Sequence, residues 1–123
     1  MRKTNMNKIL IVDDEPNILL SLEFLFKKEG YHVYIARDGE EALDIIAENL
    51  PELIILDIMM PNVDGYEVVK HLRKKNKEVK IIFLTAKSKQ QDIEKGLDLG
   101  ADLYLVKPFS TKDLVAKVKI LLN

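Results

Sequence analysis

The sequence has 123 residues, of which 47% are hydrophobic and 32% charged, and none is cysteine. That length suits a single domain with its own core, and that composition is globular rather than disordered or fibrous. Nineteen Lys+Arg against twenty Asp+Glu leave a formal charge of −1, which argues against broad neutralisation of nucleic-acid phosphates.

Residues 1–6 read as a polar tail without the apolar centre of a signal peptide. No apolar stretch approaches the roughly 18 residues of a membrane span. The chain is therefore expected to be one domain over residues 1–123, cytoplasmic, with no output domain attached.

In chain order, Ile9-Leu10-Ile11-Val12 is wholly apolar, the pattern of a strand buried on both faces. Pro16 opens a helix with an apolar stripe of Ile18, Leu22, Leu25 and Phe26, and Gly30 stops it. Phe24 is expected to pack within that helix rather than face a partner. Residues 31–36 mix polar and apolar side chains and predict an edge strand. Asp38 is the expected N-cap of a second helix carrying Ala42, Leu43, Ile46 and Ala47, with Pro51 beyond its end. Leu53-Ile54-Ile55-Leu56 predicts a third strand.

A third helix starts near Asp64-Gly65 and buries Tyr66, Val69 and Leu72. It ends in Arg73-Lys74-Lys75, cations suited to a helix C-terminus. With Lys77 and Lys80 this run reads as a solvated helix end and loop. Residues 81–84 form the fourth strand, and Ser88 caps a fourth helix running toward Gly100. Gly96 inside it either loosens that helix or admits a close neighbour. Leu103-Tyr104-Leu105-Val106 is the fifth strand. Ser110 caps the last helix, with Leu114, Val118 and Leu121 at helical spacing.

Strand and helix alternate five times. Repeated βα units impose parallel strands and right-handed crossovers, so the expected fold is a (βα)5 doubly wound, five-stranded α/β sheet. With the mixed strand outside, the order is 2-1-3-4-5, a flavodoxin-like three-layer sandwich.

The chemistry lies just beyond the ends of the strands. Asp13 and Asp14 come after the first, Asp57 after the third, Thr85 after the fourth and Lys107 after the fifth. All carboxyl ends of a parallel sheet share one edge, and ligands bind there, where the strand order reverses. Two like charges about 4 Å apart repel by roughly 4 kcal/mol at an effective dielectric near 20. Three clustered carboxylates therefore need protons, a cation or both. Lys107 supplies one positive charge, and an all-oxygen site without His or Cys suits magnesium. Such a pocket can accept a phosphoryl group between metal, ammonium and the Thr85 hydroxyl. Singly, each residue has an ordinary reading too: Asp14 or Glu15 as a helix cap, Thr85 as a loop hydroxyl, Lys107 as a solvated cation. Their joint placement on four strand ends favours a site.

Four motifs carry a resemblance: Ile11-Val12-Asp13-Asp14-Glu15; Leu56-Asp57-Ile58-Met59-Met60-Pro61 leading to Asp64-Gly65; Leu84-Thr85-Ala86; and Gly100-Ala101-Asp102 leading to Lys107-Pro108-Phe109. Over residues 7–122 the chain resembles the receiver domain of bacterial two-component response regulators. The resemblance implies a phosphorylation-activated switch with Asp57 as phosphoacceptor. It implies Mg2+, replaceable by Mn2+, on Asp14, Asp57 and the Met59 backbone carbonyl, with Asp13 direct or through water. Thr85 and Lys107 would hold phosphoryl oxygens, and Tyr104 would turn inward with Thr85. The Lys107-Pro108 bond would be cis. The implied donor is a sensor histidine kinase or phosphotransfer protein, and the output is a downstream protein or an output domain outside this chain. The domain would promote its own phosphorylation and dephosphorylation without being a turnover enzyme.

The Val106-Lys107-Pro108-Phe109-Ser110 segment is most similar to receivers of winged-helix transcription regulators. These imply a helix 4–strand 5–helix 5 interface, here with Asp102 and Lys117 and at most a weak homodimer. Leu103, Ile93 and Lys117 depart from the usual charged pattern, and Lys pairs with carboxylate less well than Arg does. Three other functions compete. A flavodoxin-like cofactor module would present neutral hydroxyls after the first strand, where this chain has Asp13-Asp14-Glu15. A haloacid-dehalogenase-like phosphatase would carry Asp at position 59. A constitutive scaffold would not need the full set of site residues.

Overall fold

The computed structural model describes residues 7–76 and 78–123; the tail of residues 1–6 and Lys77 of the basic run lie outside them. The described residues form β1 (Lys8–Val12), α1 (Pro16–Lys28), β2 (His32–Ala36), α2 (Gly39–Asn49) and β3 (Leu53–Leu56). They continue with α3 (Gly65–Lys75), β4 (Lys80–Thr85), α4 (Gln90–Asp98), β5 (Leu103–Val106) and α5 (Thr111–Leu122). All pairings are parallel, and the order is β2-β1-β3-β4-β5, as the alternation of apolar runs predicts.

Side chains of a strand point alternately to its two faces, and each face here has its own core. Ile9, Ile11, Leu53, Ile55, Ile82 and Leu84 pack toward α1 and α5 with Leu22, Phe26, Leu114 and Val118. Leu10, Val12, Ile54, Leu56, Ile81 and Phe83 pack toward α2 and α3 with Ala42, Val68, Val69 and Leu72. The three central strands therefore carry no polar alternation, because neither face meets water. On the edge, β2 keeps His32 exposed and starts one residue later than the predicted Tyr31.

Among the described residues, three helix starts are capped by side chains. Asp38 accepts from Glu41 N at 2.8 Å, Asp64 from Glu67 N at 2.9 Å and Ser110 from Asp113 N at 3.1 Å. Each such cap contributes about 1 kcal/mol. The expected Ser88 cap is not formed: α4 starts after Lys89, without a side-chain bond. Neither Asp14 nor Glu15 caps α1; Glu15 N donates instead to Asp13 Oδ1.

Packing extends one further expectation and corrects three. In α1 the fully buried positions are Leu19, Leu22 and Phe26; Ile18 and Leu25 of the expected stripe are half-buried against the same core, and Leu19 joins them. Phe24 is 71% exposed, because α1 has one face on the sheet and Phe24 falls on the other. Ala47 of α2 is likewise exposed. Arg73 is not part of a solvated run. Its guanidinium donates to the carbonyls of Gly100, Val79 and Asn76 and pairs with Asp102 at 3.3 Å. Among the described residues, no helix is long and apolar enough to cross a membrane.

Candidate functional site

The carboxyl edge of the sheet is held in place by backbone bonds that continue just past the strands. Asp13 N donates to Ala36 O at 3.1 Å, Asp57 N to Val12 O at 3.0 Å and Lys107 N to Thr85 O at 2.8 Å. The side chains just past β1, β3 and β5 therefore start from fixed points. Asp13, Asp57 and Thr85 are buried although polar, at 2%, 6% and 0% exposure.

The chain brings these groups into contact. Lys107 Nζ donates to Asp13 Oδ2 at 2.9 Å and to Asp57 Oδ2 at 3.2 Å. The opposite oxygens accept backbone N–H groups: Asp13 Oδ1 from Glu15 at 2.9 Å, Asp57 Oδ1 from Met59 at 3.2 Å. Both carboxylates are thereby fixed in orientation, as buried charges must be. Asp14 is exposed and stands at the mouth, and one oxygen each of Asp13, Asp14 and Asp57 lies within 4.8 Å of the others.

Burial pushes the Asp13 carboxyl above its ordinary value, although Lys107 and the Glu15 N–H pull it down. For Lys107, burial favours the neutral amine, but the Asp13 hydrogen bond and the charges of Asp57 and Asp13 overcome it and raise its value. The lysine is thus firmly cationic while the deepest acid ionises reluctantly. Three carboxylates against one ammonium carry a formal surplus of negative charge. Hard oxygen donors with such a surplus fit a divalent metal ion.

Thr85 and Tyr104 connect through Lys87. Lys87 N donates to Thr85 Oγ1 at 3.4 Å, and Tyr104 Oη donates to Lys87 O at 2.8 Å. The Tyr104 ring is half-buried against Phe83, with centroids 5.8 Å apart. The Lys107-Pro108 bond is cis. The sequence places Thr85 and Lys107 at this edge, whereas Tyr104 enters only through the family resemblance; the Lys87 backbone that links Thr85 to Tyr104 leaves no side-chain signature.

A family model for the response regulator receiver domain matches residues 9–119. The chain belongs to that family. It is 34% identical to a CheY-like receiver domain protein from Methanospirillum hungatei, with a TM-score of 0.92 over 96% of this chain and 94% of that one. The Francisella response regulator 1452 receiver domain is 38% identical, with a TM-score of 0.88 over 94% of this chain and 95% of that one. A BeF3-activated DrrB receiver domain is 34% identical, with a TM-score of 0.90 over 96% of this chain and 98% of that one. This is a receiver domain of a two-component response regulator, a signalling-switch family, with an acidic pocket formed by Asp13, Asp14 and Asp57.

The other residues singled out in the sequence lie away from this receiver pocket. Asp102, at the start of β5, accepts from Ile81 N at 2.8 Å and pairs with Arg73. Lys117 pairs with Asp113 one helical turn back, at 3.1 Å. His71 is exposed on α3, beside the groove lined by Leu43, Ile46 and Leu50.

Proposed function

We propose that the chain works as a single cytoplasmic receiver domain that accepts a phosphoryl group on Asp57 and thereby changes its α4–β5–α5 face. The observation that carries this reading is the Asp57 carboxylate, held between Lys107 and the Met59 N–H beside Asp13 and Asp14. The donor is a phosphohistidine of a sensor kinase or phosphotransfer protein. An Asp57 carboxylate oxygen attacks phosphorus, the P–N bond breaks, and an acyl phosphate forms while the histidine keeps the departing electron pair. A transferring phosphoryl group is loose and metaphosphate-like, so the protein contributes position and charge rather than covalent chemistry.

Asp14, Asp57 and the Met59 carbonyl would hold Mg2+, with Asp13 direct or through water; Mn2+ fits the same donors. When bound, the ion offsets repulsion between carboxylates and phosphoryl oxygens. Lys107 would shift toward the incoming phosphoryl oxygens, and Thr85 would donate its hydroxyl to another. Tyr104 would turn further inward as Thr85 is drawn toward the phosphoryl group. Water aligned in the same pocket would return Asp57 to its carboxylate, so the domain promotes both steps without turning over a separate substrate.

The donor reaches the pocket past Asp14 and Met59, both exposed. Leu20 and Phe24, at 62% and 71% exposure, stand one turn apart on the outer face of α1 and suit docking of an apolar helical donor. The output is a downstream protein or an output domain outside these residues. Asp102 and Lys117 belong to a weak homodimer at most, because both have partners within the chain.

Adding BeF3− and Mg2+ while recording amide NMR shifts tests this reading. Saturable shifts at residues 57–60, 85–87 and 104–107 that require both components and vanish in Asp57→Asn are expected. Shifts that persist in Asp57→Asn would overturn it.

A further inference from the structure

Helix α4 poses a packing problem. Its buried residue is Gly96, which has no side chain, and its N-terminus lacks a side-chain cap. Helices are ordinarily held by an apolar stripe, and α4 buries no large side chain of its own. Leu99, just past its C-terminus, packs on the core, but the N-terminal part needs another hold.

Two phenols reach it, one from β5 and one from α3. Tyr104 Oη donates to Lys87 O at 2.8 Å, just ahead of the helix, and Tyr66 Oη donates to Asp92 O at 3.0 Å in its first turn. The rings form one platform: Tyr66 meets Phe83 edge-on with centroids 5.7 Å apart, and Phe83 meets Tyr104 at 5.8 Å. Gly96 lies on that platform, where a Cβ would stand 3.0 Å from both Phe83 Cδ2 and Tyr104 Cδ2. Lys95 Nζ lies over the Tyr66 ring, 4.3 Å from its centroid.

The residue before Tyr66 adjoins the acceptor. Gly65 N donates to Ile58 O at 2.9 Å, and a Cβ on Gly65 would meet the Asp57 carbonyl and stand 2.7 Å from Ile58 Cα. The first turn of α3 therefore rests on the backbone of the residue pair that begins with Asp57.

We propose that Tyr66 and Tyr104 form a two-phenol clasp on α4, with Tyr66 the positioning residue that ties that helix to the Asp57 backbone. The direction of signalling through it rests on Asp57 being the acceptor; the clasp itself belongs to the free domain. Hydrogen exchange of the wild type, Tyr66→Phe, Tyr104→Phe and the double variant tests it, each with and without BeF3−/Mg2+. Phe keeps the ring and removes only the donor.

In the free protein, Tyr66→Phe is expected to speed exchange of α4 amides by about fivefold, the effect of one lost hydrogen bond, while β1 and β3 amides stay as they were. Opening either tether frees the same segment, so the double variant exchanges little faster than the faster single one; independent bonds would multiply instead. With BeF3−/Mg2+, Tyr66→Phe shrinks the α4 response while ligand binding is retained. Exchange of α4 identical to wild type in free Tyr66→Phe, or a uniform rise across all amides, would overturn the clasp. A wild type that ignores BeF3−/Mg2+ would instead remove the acceptor reading, and the ligand-free comparison then decides the clasp by itself.

Discussion

Lys107 and Asp57 stand 50 residues apart in sequence, yet the ammonium Nζ lies 3.2 Å from the Asp57 Oδ2. The same ammonium is 2.9 Å from Asp13, so a single cation serves both buried acids. Lys107→Ala is expected to slow phosphoryl acceptance about 10²–10³-fold, the cost of losing one preorganised donor. Stability falls by only about 1–3 kcal/mol. Mg2+ affinity rises, since no ammonium competes for the same oxygens. Phosphorylation rates, thermal melts and calorimetric Mg2+ titration check the three parts; near-normal acceptance would contradict the assignment of Lys107.

Asp13→Asn separates stability from function. Burial raises the Asp13 carboxyl above 3.8 in the folded protein. Below that pH both states hold the proton; as pH rises through the folded value, the unfolded state gains by ionising more readily, and stability is lost. Asn cannot ionise. The stability of Asp13→Asn relative to the parent should therefore grow between pH 3 and pH 7, in EDTA, while its Mg2+ binding weakens. Lys107 stays cationic over that whole window, since its value is raised above 10.5. Urea midpoints at the two pH values decide it, and a gap that narrows toward pH 7 would be the contrary result.

Gly96→Ala tests how α4 is seated. In an open helix this change gains about 1 kcal/mol of propensity. Here the added methyl would press on Phe83 and Tyr104 at 3.0 Å. Overpacking of that kind costs about 1–3 kcal/mol, so a net loss in chemical denaturation is expected. A gain would mean that α4 lifts freely from the aromatic platform.

Arg73 joins the end of α3 to the turn before β5 through Gly100 O and Asp102, and to the segment before β4 through Val79 O. Lysine has neither the fork nor the number of donors to reproduce this. Arg73→Lys should lose about 1–2 kcal/mol of stability, because half-buried carbonyls are left unpaired. Equal melting of the two proteins would show that the bonds carry no weight.

The architecture was readable because buried parallel strands tolerate no polar residue, so the runs at residues 9–12, 53–56 and 81–84 stand out from everything around them. The pocket was readable for a related reason: Asp13, Asp57, Thr85 and Lys107 break those runs at matched ends, and a parallel sheet brings matched ends together. Arg73 escaped notice because a cation in a basic run has the same sequence signature whether solvated or bonded to carbonyls. Gly96 left two readings open, and only the rings of Phe83 and Tyr104 choose close packing between them. The burial of Tyr66 is dictated by helical periodicity, but the direction of its hydroxyl depends on α4, which lies far along the chain. Phe24 and Leu19 depart from expectation because a few tens of degrees of helix rotation decide which apolar residue meets the sheet.

The central claim is that Asp57 takes the phosphoryl group. Incubation with acetyl phosphate and Mg2+, then intact mass measurement, should add one phosphoryl group to the chain. EDTA should prevent the addition, and Asp57→Ala should abolish it. A phosphoryl group retained in Asp57→Ala would place the acceptor elsewhere and contradict the account.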